Sequence, residues 1–185
     1  MIGLVILIVL VLAVLLLAGT YNRLVGLRQR ANQAFADIDV QLQQRHDLIP
    51  NLVETVKGYA THEKGALEAV TNARAAATGA GSVEEKVQAE NALSGALRQL
   101  FAVAEAYPDL KANQNFLRLQ DELADIENKL AAARRFFNSA VAEYNAAIQQ
   151  FPAALIAGPA GFKERTFFDM GADRAAVSAA PQVKF

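Results

Sequence analysis

An uninterrupted apolar run opens the sequence. Residues 1–19 contain no charged or strongly polar side chain, and Leu, Val and Ile supply most of them. At 1.5 Å per residue, a helix over this run is about 28 Å long, close to the thickness of the hydrocarbon core of a bilayer. The pattern therefore predicts a single-pass transmembrane helix over residues 1–19 that contacts the lipid bilayer.

The residues around this run predict an uncleaved anchor and its orientation. No basic segment precedes the run, and no small-x-small cleavage site follows Leu17, so the run is unlike a cleaved signal peptide. Positively charged residues flank membrane spans on the cytoplasmic side. We therefore expect the N-terminus outside and the rest of the chain in the cytoplasm. The basic residues that come before the first acidic one are Arg23, Arg28 and Arg30.

Behind the anchor, apolar positions recur every three or four residues, as on one face of a long helix. The pattern predicts a first helix that continues to about Thr78, where Gly79 and Gly81 interrupt it. Pro50 removes one hydrogen bond and is expected to bend this helix or split it. The apolar positions are Leu24, Leu27, Ala31, Ala34, Ile38, Leu42, Ile49, Leu52, Val56, Tyr59, Leu67 and Val70.

Two further helices are predicted after the glycines. Ser82 and Glu85 have the spacing of a capping box that begins a second helix, and a proline ends that helix near Tyr107. A third helix is expected from about Asp109 to about Gln150. Its apolar positions are Phe116, Leu119, Leu123, Ile126, Leu130, Ala133, Phe137, Ala140, Tyr144, Ala147 and Phe151.

These elements predict an all-α fold, a long-helix antiparallel up-down bundle of the four-helix type, because no segment before residue 150 alternates with the period of a strand. We divide the chain into an anchor (1–19), a bundle core (20–150) and a C-terminal part (151–185). In the last part we expect a short helix near residues 153–157, with extended pieces packed along the bundle. The alternative is that some of Phe162, Phe167 and Phe168 face a partner or the membrane interface.

Composition excludes several classes of function. Eighteen basic and 19 acidic residues give a formal net charge of -1, so there is no overall basic field for nucleic acid. The chain has no cysteine, which excludes disulfides, thiolate metal sites and a cysteine nucleophile. We expect no nucleic-acid partner and identify no small-molecule substrate.

The histidines do not form a site in the sequence. On a straight helix His46 and His62 are separated by about 24 Å of rise, too far to share a metal ion. His62 and Glu63 begin like a zincin motif, but Ala66 stands where its second histidine would be. We predict no catalytic, cofactor-binding or metal-binding residues.

Four charged side chains fall on the apolar side of the predicted helices: Arg45, Glu63, Arg74 and Glu90. In a hairpin that turns near residue 80, Arg74 is within reach of Glu85 or Glu90. One interpretation is a buried ion pair that fixes the register of the helices. The other is that these side chains lie at the edge of the apolar face and extend their charges into water.

A stripe of small polar residues runs beside the apolar face. Gly58 within a helix costs about 1 kcal/mol relative to Ala, which suggests close approach by another helix or subunit. The alternative is a solvated flank with an incidental glycine. The stripe consists of Asn51, Thr55, Gly58 and His62.

Several short segments occur together and in order along nearly the whole chain, and with them the sequence resembles the LemA family. The segments include Tyr21-Asn22, Ile38-Asp39-Val40-Gln41-Leu42, Asp47-Leu48-Ile49-Pro50-Asn51-Leu52-Val53, Thr55-Val56-Lys57-Gly58-Tyr59, Tyr107-Pro108-Asp109-Leu110, Arg135-Phe136-Phe137-Asn138, Phe151-Pro152 and Gly161-Phe162.

The resemblance implies a bacterial inner-membrane protein with an anchored four-helix bundle and no established catalytic residues. Together with the residue patterns, it leads us to expect a non-enzymatic scaffold or adaptor that binds other membrane proteins or copies of itself. Two alternatives are an oligomer that remodels membranes and, as an enzyme, a hydrolase or metal-dependent activity that uses His62 and Glu63.

Overall fold

The computed structural model of the protein describes residues 1–168, which contain helices and connecting turns and no strand. The predicted all-α class is confirmed. Within residues 1–168, six helices follow one another: α1 (Ile2–Lys57), α2 (Lys64–Gly79), α3 (Val83–Ala104), α4 (Pro108–Lys111), α5 (Gln114–Gln149) and α6 (Ala153–Ala157).

The described residues form two compact units. One contains residues 1–38 and 132–167, and the other contains residues 39–131 and Phe168. Helices α1 and α5 each contribute residues to both units.

In the unit of residues 39–131, helices α1, α2, α3 and α5 enclose one apolar core, and the short α4 adds Leu110 to it. The end of α1 contributes Ile49 and Val56, and three residues connect α2 to α3, so these two helices are antiparallel neighbours. The predicted bundle is therefore confirmed. Other core residues are Leu52, Leu67, Val70, Leu93, Leu97, Leu100, Phe116, Leu119 and Leu123.

In the unit of residues 1–38 and 132–167, the chain beyond α6 folds back along α5. The Tyr144 hydroxyl donates to the carbonyl of Lys163 at 3.0 Å, and the Asn145 amide group forms two hydrogen bonds of 2.9 Å with the backbone of Arg165. These bonds hold residues 163–165 against the end of α5. The apolar cluster of this unit consists of Leu24, Tyr144, Ala147, Ile148, Ala153, Ala157 and Phe162.

The apolar run lies at the start of α1. All of residues 1–19 are exposed, and α1 contains a segment long and apolar enough to cross a membrane. The helix continues without a break from this segment into the residues that pack in both units.

The predicted first helix is wrong in its second half. It is interrupted at residues 58–63, where Gly58 and Tyr59 lie in a turn just beyond the end of α1. The amide of Ala60 bonds the carbonyl of Val56 at 2.8 Å and carries Ala60 into the core, whereas Tyr59 is exposed. Pro50 lies within α1, which neither ends nor restarts there.

The third helix and its last apolar position also differ from the prediction. The helix that begins at Pro108 is the single turn α4, and α5 begins after Asn113, whose Oδ1 accepts from the amide of Phe116 at 3.0 Å. Phe151 was expected on the apolar face of the third helix but is 80% exposed, because α5 ends at Gln149.

The short helix expected near residues 153–157 is α6. Of the three aromatics for which packing on the bundle and contact with a partner or the membrane are the alternatives, Phe162 and Phe168 are buried and Phe167 is exposed. The expectation of extended pieces also covered residues 169–185, which lie outside the described residues.

Candidate functional site

A cluster of buried charged side chains lies within the unit of residues 39–131. Glu90 on α3 is 1% exposed, and Arg45 and His46, which are consecutive on α1, are each 5% exposed. Burying a charged group is costly unless it is paired and hydrogen-bonded. The charged and polar groups of these three residues therefore need hydrogen-bonding partners inside the protein.

Glu90 is held by both α1 residues. Its Oε2 accepts from Nη1 of Arg45 at 2.9 Å, and its Oε1 lies 2.6 Å from Nε2 of His46. Since a carboxylate oxygen accepts hydrogen bonds, this contact fits the tautomer of His46 that carries a proton on Nε2. Each carboxylate oxygen thus has its own donor.

Arg45 extends the cluster to a third helix. Its Nη2 donates to the Ser94 hydroxyl on α3 at 2.8 Å and lies 3.4 Å from Oε2 of Glu127 on α5. The guanidinium therefore joins α1, α3 and α5. Fixed donor directions make such a group suited to setting the register between helices.

Arg74 has a different role, which depends on Pro50. Because proline has no amide hydrogen, it leaves the carbonyl four residues earlier, that of His46, without its helical donor. The Nε of Arg74 donates to this oxygen at 2.7 Å. An α2 side chain thus supplies the hydrogen bond that the α1 backbone lacks.

The predicted pairing of Arg74 with Glu85 or Glu90 is therefore wrong. Glu90 bonds Arg45 and His46 instead. Glu85 lies at the start of α3, where its Oε2 accepts from the amides of Gly81 at 2.9 Å and Ser82 at 3.1 Å. These backbone hydrogen bonds lower the pKa of Glu85.

Glu63 also has a local partner. Its Oε1 accepts from the Tyr107 hydroxyl at 3.2 Å, a bond that joins the turn before α2 to the residue before α4. Burial and this acidic neighbour raise the pKa of Tyr107. Thus Glu63 supports the packing of two connections.

A groove of about 450 Å³ lies beside the cluster, between α3 and α5. Arg45, Ser94 and Glu127 line its polar side, and the exposed Arg98 lies at its margin. Such a groove can bind a side chain or a small amphipathic group. Its apolar wall consists of Leu97, Phe101, Leu123 and Ala124.

The residues of the predicted stripe do not share one helix. Asn51 and Thr55 lie on α1, whereas Gly58 and His62 lie in the turn that follows it. A Cβ at Gly58 would meet only the backbone of the last turn of α1, at 3.5 Å or more, so the expected close approach is not made within the described chain. The stripe as a binding surface stays a prediction.

The sequence identifies two residues of the buried cluster, Arg45 and Glu90, but it does not show that they pair with each other. The helical period placed Arg45 and Glu90 on the core side, so their meeting was open to prediction. His46 gave no such signal. Among the described residues, no group of three or more His, Asp or Glu is placed to hold a metal ion.

Comparison with known proteins agrees with the resemblance seen in the sequence. The model of the LemA family matches residues 34–185. Magnetosome protein MamQ of Magnetospirillum gryphiswaldense is 24% identical over 174 residues, which cover 80% of this chain and 64% of that protein. MamQ 1 and MamQ 2 of Paramagnetospirillum magneticum match with the same identity and coverage. The chain therefore spans about 64% of the length of these relatives.

Proposed function

The chain belongs to the LemA family, and from this premise we propose that it is a non-enzymatic scaffold anchored in the bacterial inner membrane. Residues 1–19 cross the bilayer, and the helical bundle binds other membrane proteins or copies of itself. The observation that carries the proposal is one continuous helix, α1, whose exposed apolar start leads into a packed bundle.

The apolar start of α1 supports the membrane part of the proposal. Its side chains are exposed from Met1 to Gly19, and exposed apolar surface on this scale is removed from water in a bilayer. The arginines that follow favour a cytoplasmic bundle with the N-terminus outside.

The buried cluster supports a structural role over a catalytic one. Glu90, Arg45 and His46 are buried and bond one another. A general acid or base must reach a substrate proton, and these groups reach each other instead. These hydrogen bonds join helices α1 and α3 to each other.

The relatives also support this role. The MamQ proteins are named for a cellular structure, the magnetosome, and not for a reaction. A part in organising a membrane-bound assembly is the function that the family and the fold together favour for this chain.

Position-specific photocrosslinking in intact membranes tests the scaffold. A photoreactive amino acid replaces Asn51 or Gly58 on the stripe, or Gln120 at the groove, and the exposed Asp121 on α5 serves as the matched control. We expect a discrete adduct from the stripe or the groove and none from the control. An adduct of twice the chain mass identifies self-association. Absence of any adduct, or equal labelling at all positions, contradicts the proposal.

Metal analysis tests the non-enzymatic part. We expect the purified full chain to contain no stoichiometric zinc and His62→Ala to leave its metal content unchanged. Stoichiometric zinc that is lost in His62→Ala would instead support a metal-dependent enzyme that uses His62 and Glu63.

A further inference from the structure

A second apolar run follows α5. Residues 151–162 read FPAALIAGPAGF and contain no charged or hydrogen-bonding side chain. Helix α6 occupies the middle of this run. In a chain that is one-fifth charged, such a segment is expected to be covered by protein or by lipid.

The second run packs on α1 directly beyond the anchor. Phe151 and Pro152 line a small cavity of about 50 Å³ together with Thr20 and Arg23. At the other end of the run, the ring of Phe162 lies edge-on to Tyr21 with 5.6 Å between the centroids. The run is therefore level with the first turns of α1 after residue 19.

Two large side chains of this run point away from the protein. Phe151 is 80% exposed and Leu155 is 65% exposed, whereas Ala153 and Ala157 form the buried side of α6. Helix α6 thus covers the unit with Ala153 and Ala157 and leaves Leu155 uncovered, and Phe151, which precedes the helix, is uncovered as well.

We propose that Phe151 and Leu155 form a second membrane contact, inserted at the boundary of headgroups and acyl chains beside α1. The occupant of this surface is the lipid bilayer, and the inference rests on the proposed anchoring of residues 1–19. Aromatic residues favour this depth of the bilayer. The exposed Arg23 and Lys163 flank the run with positive charge suited to lipid phosphates.

The contact has a functional consequence for the anchor. A single transmembrane helix is free to rotate about its axis and to tilt. Contact at Phe151 and Leu155, to one side of α1, fixes which side of this unit faces the membrane. The second membrane contact thus sets the orientation of this unit relative to the bilayer.

Fluorescence quenching in vesicles tests the proposal, and the absence of native cysteine allows single labels. Phe151→Cys and Leu155→Cys carry the environment-sensitive dye NBD in the full chain, reconstituted in phosphatidylethanolamine and phosphatidylglycerol vesicles with nitroxide lipids. Leu10→Cys reports on the anchor. Phe136→Cys is the matched control, since Phe136 is an exposed aromatic beside Arg30, about 15 Å along α1 from Thr20.

We expect blue-shifted emission and at least twofold quenching at positions 151 and 155, strongest with a nitroxide near the headgroups. Position 10 is quenched most by a nitroxide deep in the acyl chains, and position 136 is not quenched. All four sites are exposed, so each variant retains the helical circular dichroism of the parent chain.

The outcomes separate this inference from the proposed function. If position 10 is quenched and positions 151 and 155 behave like position 136, the proposed second membrane contact is wrong and the proposed anchor is retained. If position 10 is not quenched, the anchored scaffold itself is wrong. A blue shift at 151 and 155 without nitroxide quenching shows that protein covers this surface and overturns the lipid contact.

Discussion

At the scale of single residues, the Glu90 carboxylate is the group that contacts both other members of the buried cluster, Arg45 and His46. Glu90→Gln removes the charge that faces Arg45 and leaves a guanidinium that is 5% exposed without its closest carboxylate. Removing one partner of a buried pair costs about 3 to 5 kcal/mol. We expect about 3 kcal/mol of lost unfolding free energy, because Ser94 and Glu127 still contact Arg45. Urea unfolding followed by circular dichroism measures it.

An exposed ion pair on α5 provides the control. Glu122→Gln removes the partner of Arg118, whose Nε lies 3.7 Å away, and both side chains are solvent-exposed. Such pairs contribute less than about 1 kcal/mol. Equal losses for Glu90→Gln and Glu122→Gln would contradict the role assigned to the cluster.

Arg74 and Pro50 form a second test at this scale. Arg74→Met leaves the carbonyl of His46 without its side-chain donor, and a partly buried unsatisfied acceptor costs about 1 to 3 kcal/mol. In a Pro50→Ala background the new amide serves the same oxygen, so we expect Arg74→Met to cost less. A double-mutant cycle by thermal unfolding measures the difference. Equal costs in both backgrounds would refute the compensation.

These residues show what a sequence can and cannot give at this scale. Helical periodicity placed Arg45 and Glu90 facing the core, because facing depends only on position along a helix. The partner of Arg74 depends on a carbonyl freed by Pro50 on another helix. That is a property of packing, which periodicity does not encode.

At the scale of elements, the cap at the start of α3 makes the stability of the fold depend on pH. Ser82 and Glu85 form the predicted capping box, with the amide of Glu85 bonded to the Ser82 hydroxyl at 3.1 Å. Backbone donors lower the pKa of Glu85 below its usual 4.5, so the cap stabilises the fold above that value. The stabilisation is lost as pH falls through the lowered pKa.

Glu85→Gln is therefore expected to melt below the parent chain at pH 7 and to approach it at a pH acidic enough for the parent carboxyl to take up its proton. Thermal unfolding at both values measures the two differences. A gap that widens at low pH would contradict the assigned direction. Ser82→Ala, which keeps the carboxylate, is the matched control and should lower the melting temperature at both values.

The sequence predicts the helices more accurately than it predicts where they begin and end. Capping of α3 was predicted because Ser82 and Glu85 are close in sequence. The turn at residues 58–63 was missed because Leu67 and Val70 resume an apolar spacing that also fits a continuous helix. Likewise, Asn113 caps α5, whereas the third helix was expected to begin four residues earlier, near Asp109.

At the scale of the whole molecule, the arginines after the anchor predict topology. We expect protease added to inside-out vesicles to digest the bundle, and protease added to right-side-out cells to leave it intact. Immunoblotting with an antibody against the bundle measures both. Protection of the bundle in inside-out vesicles would reverse the proposed orientation.

The apolar start of α1 and the bundle follow directly from the sequence, because length, hydropathy and period are local properties. The position of Phe151 does not follow from them. Its spacing matches the apolar face of α5, but the helix ends at Gln149 and the ring turns outward. Where a helix stops decides whether its next aromatic is core or surface.

The cluster around Leu24 also bears on how the chain is made. Leu24 packs with Tyr144, Ile148 and Phe162, partners that leave the ribosome more than a hundred residues later. Contacts this distant in sequence form slowly, whereas the α2–α3 hairpin joins neighbours. During synthesis the apolar side of α1 near Leu24 therefore stays uncovered until these later residues have been made.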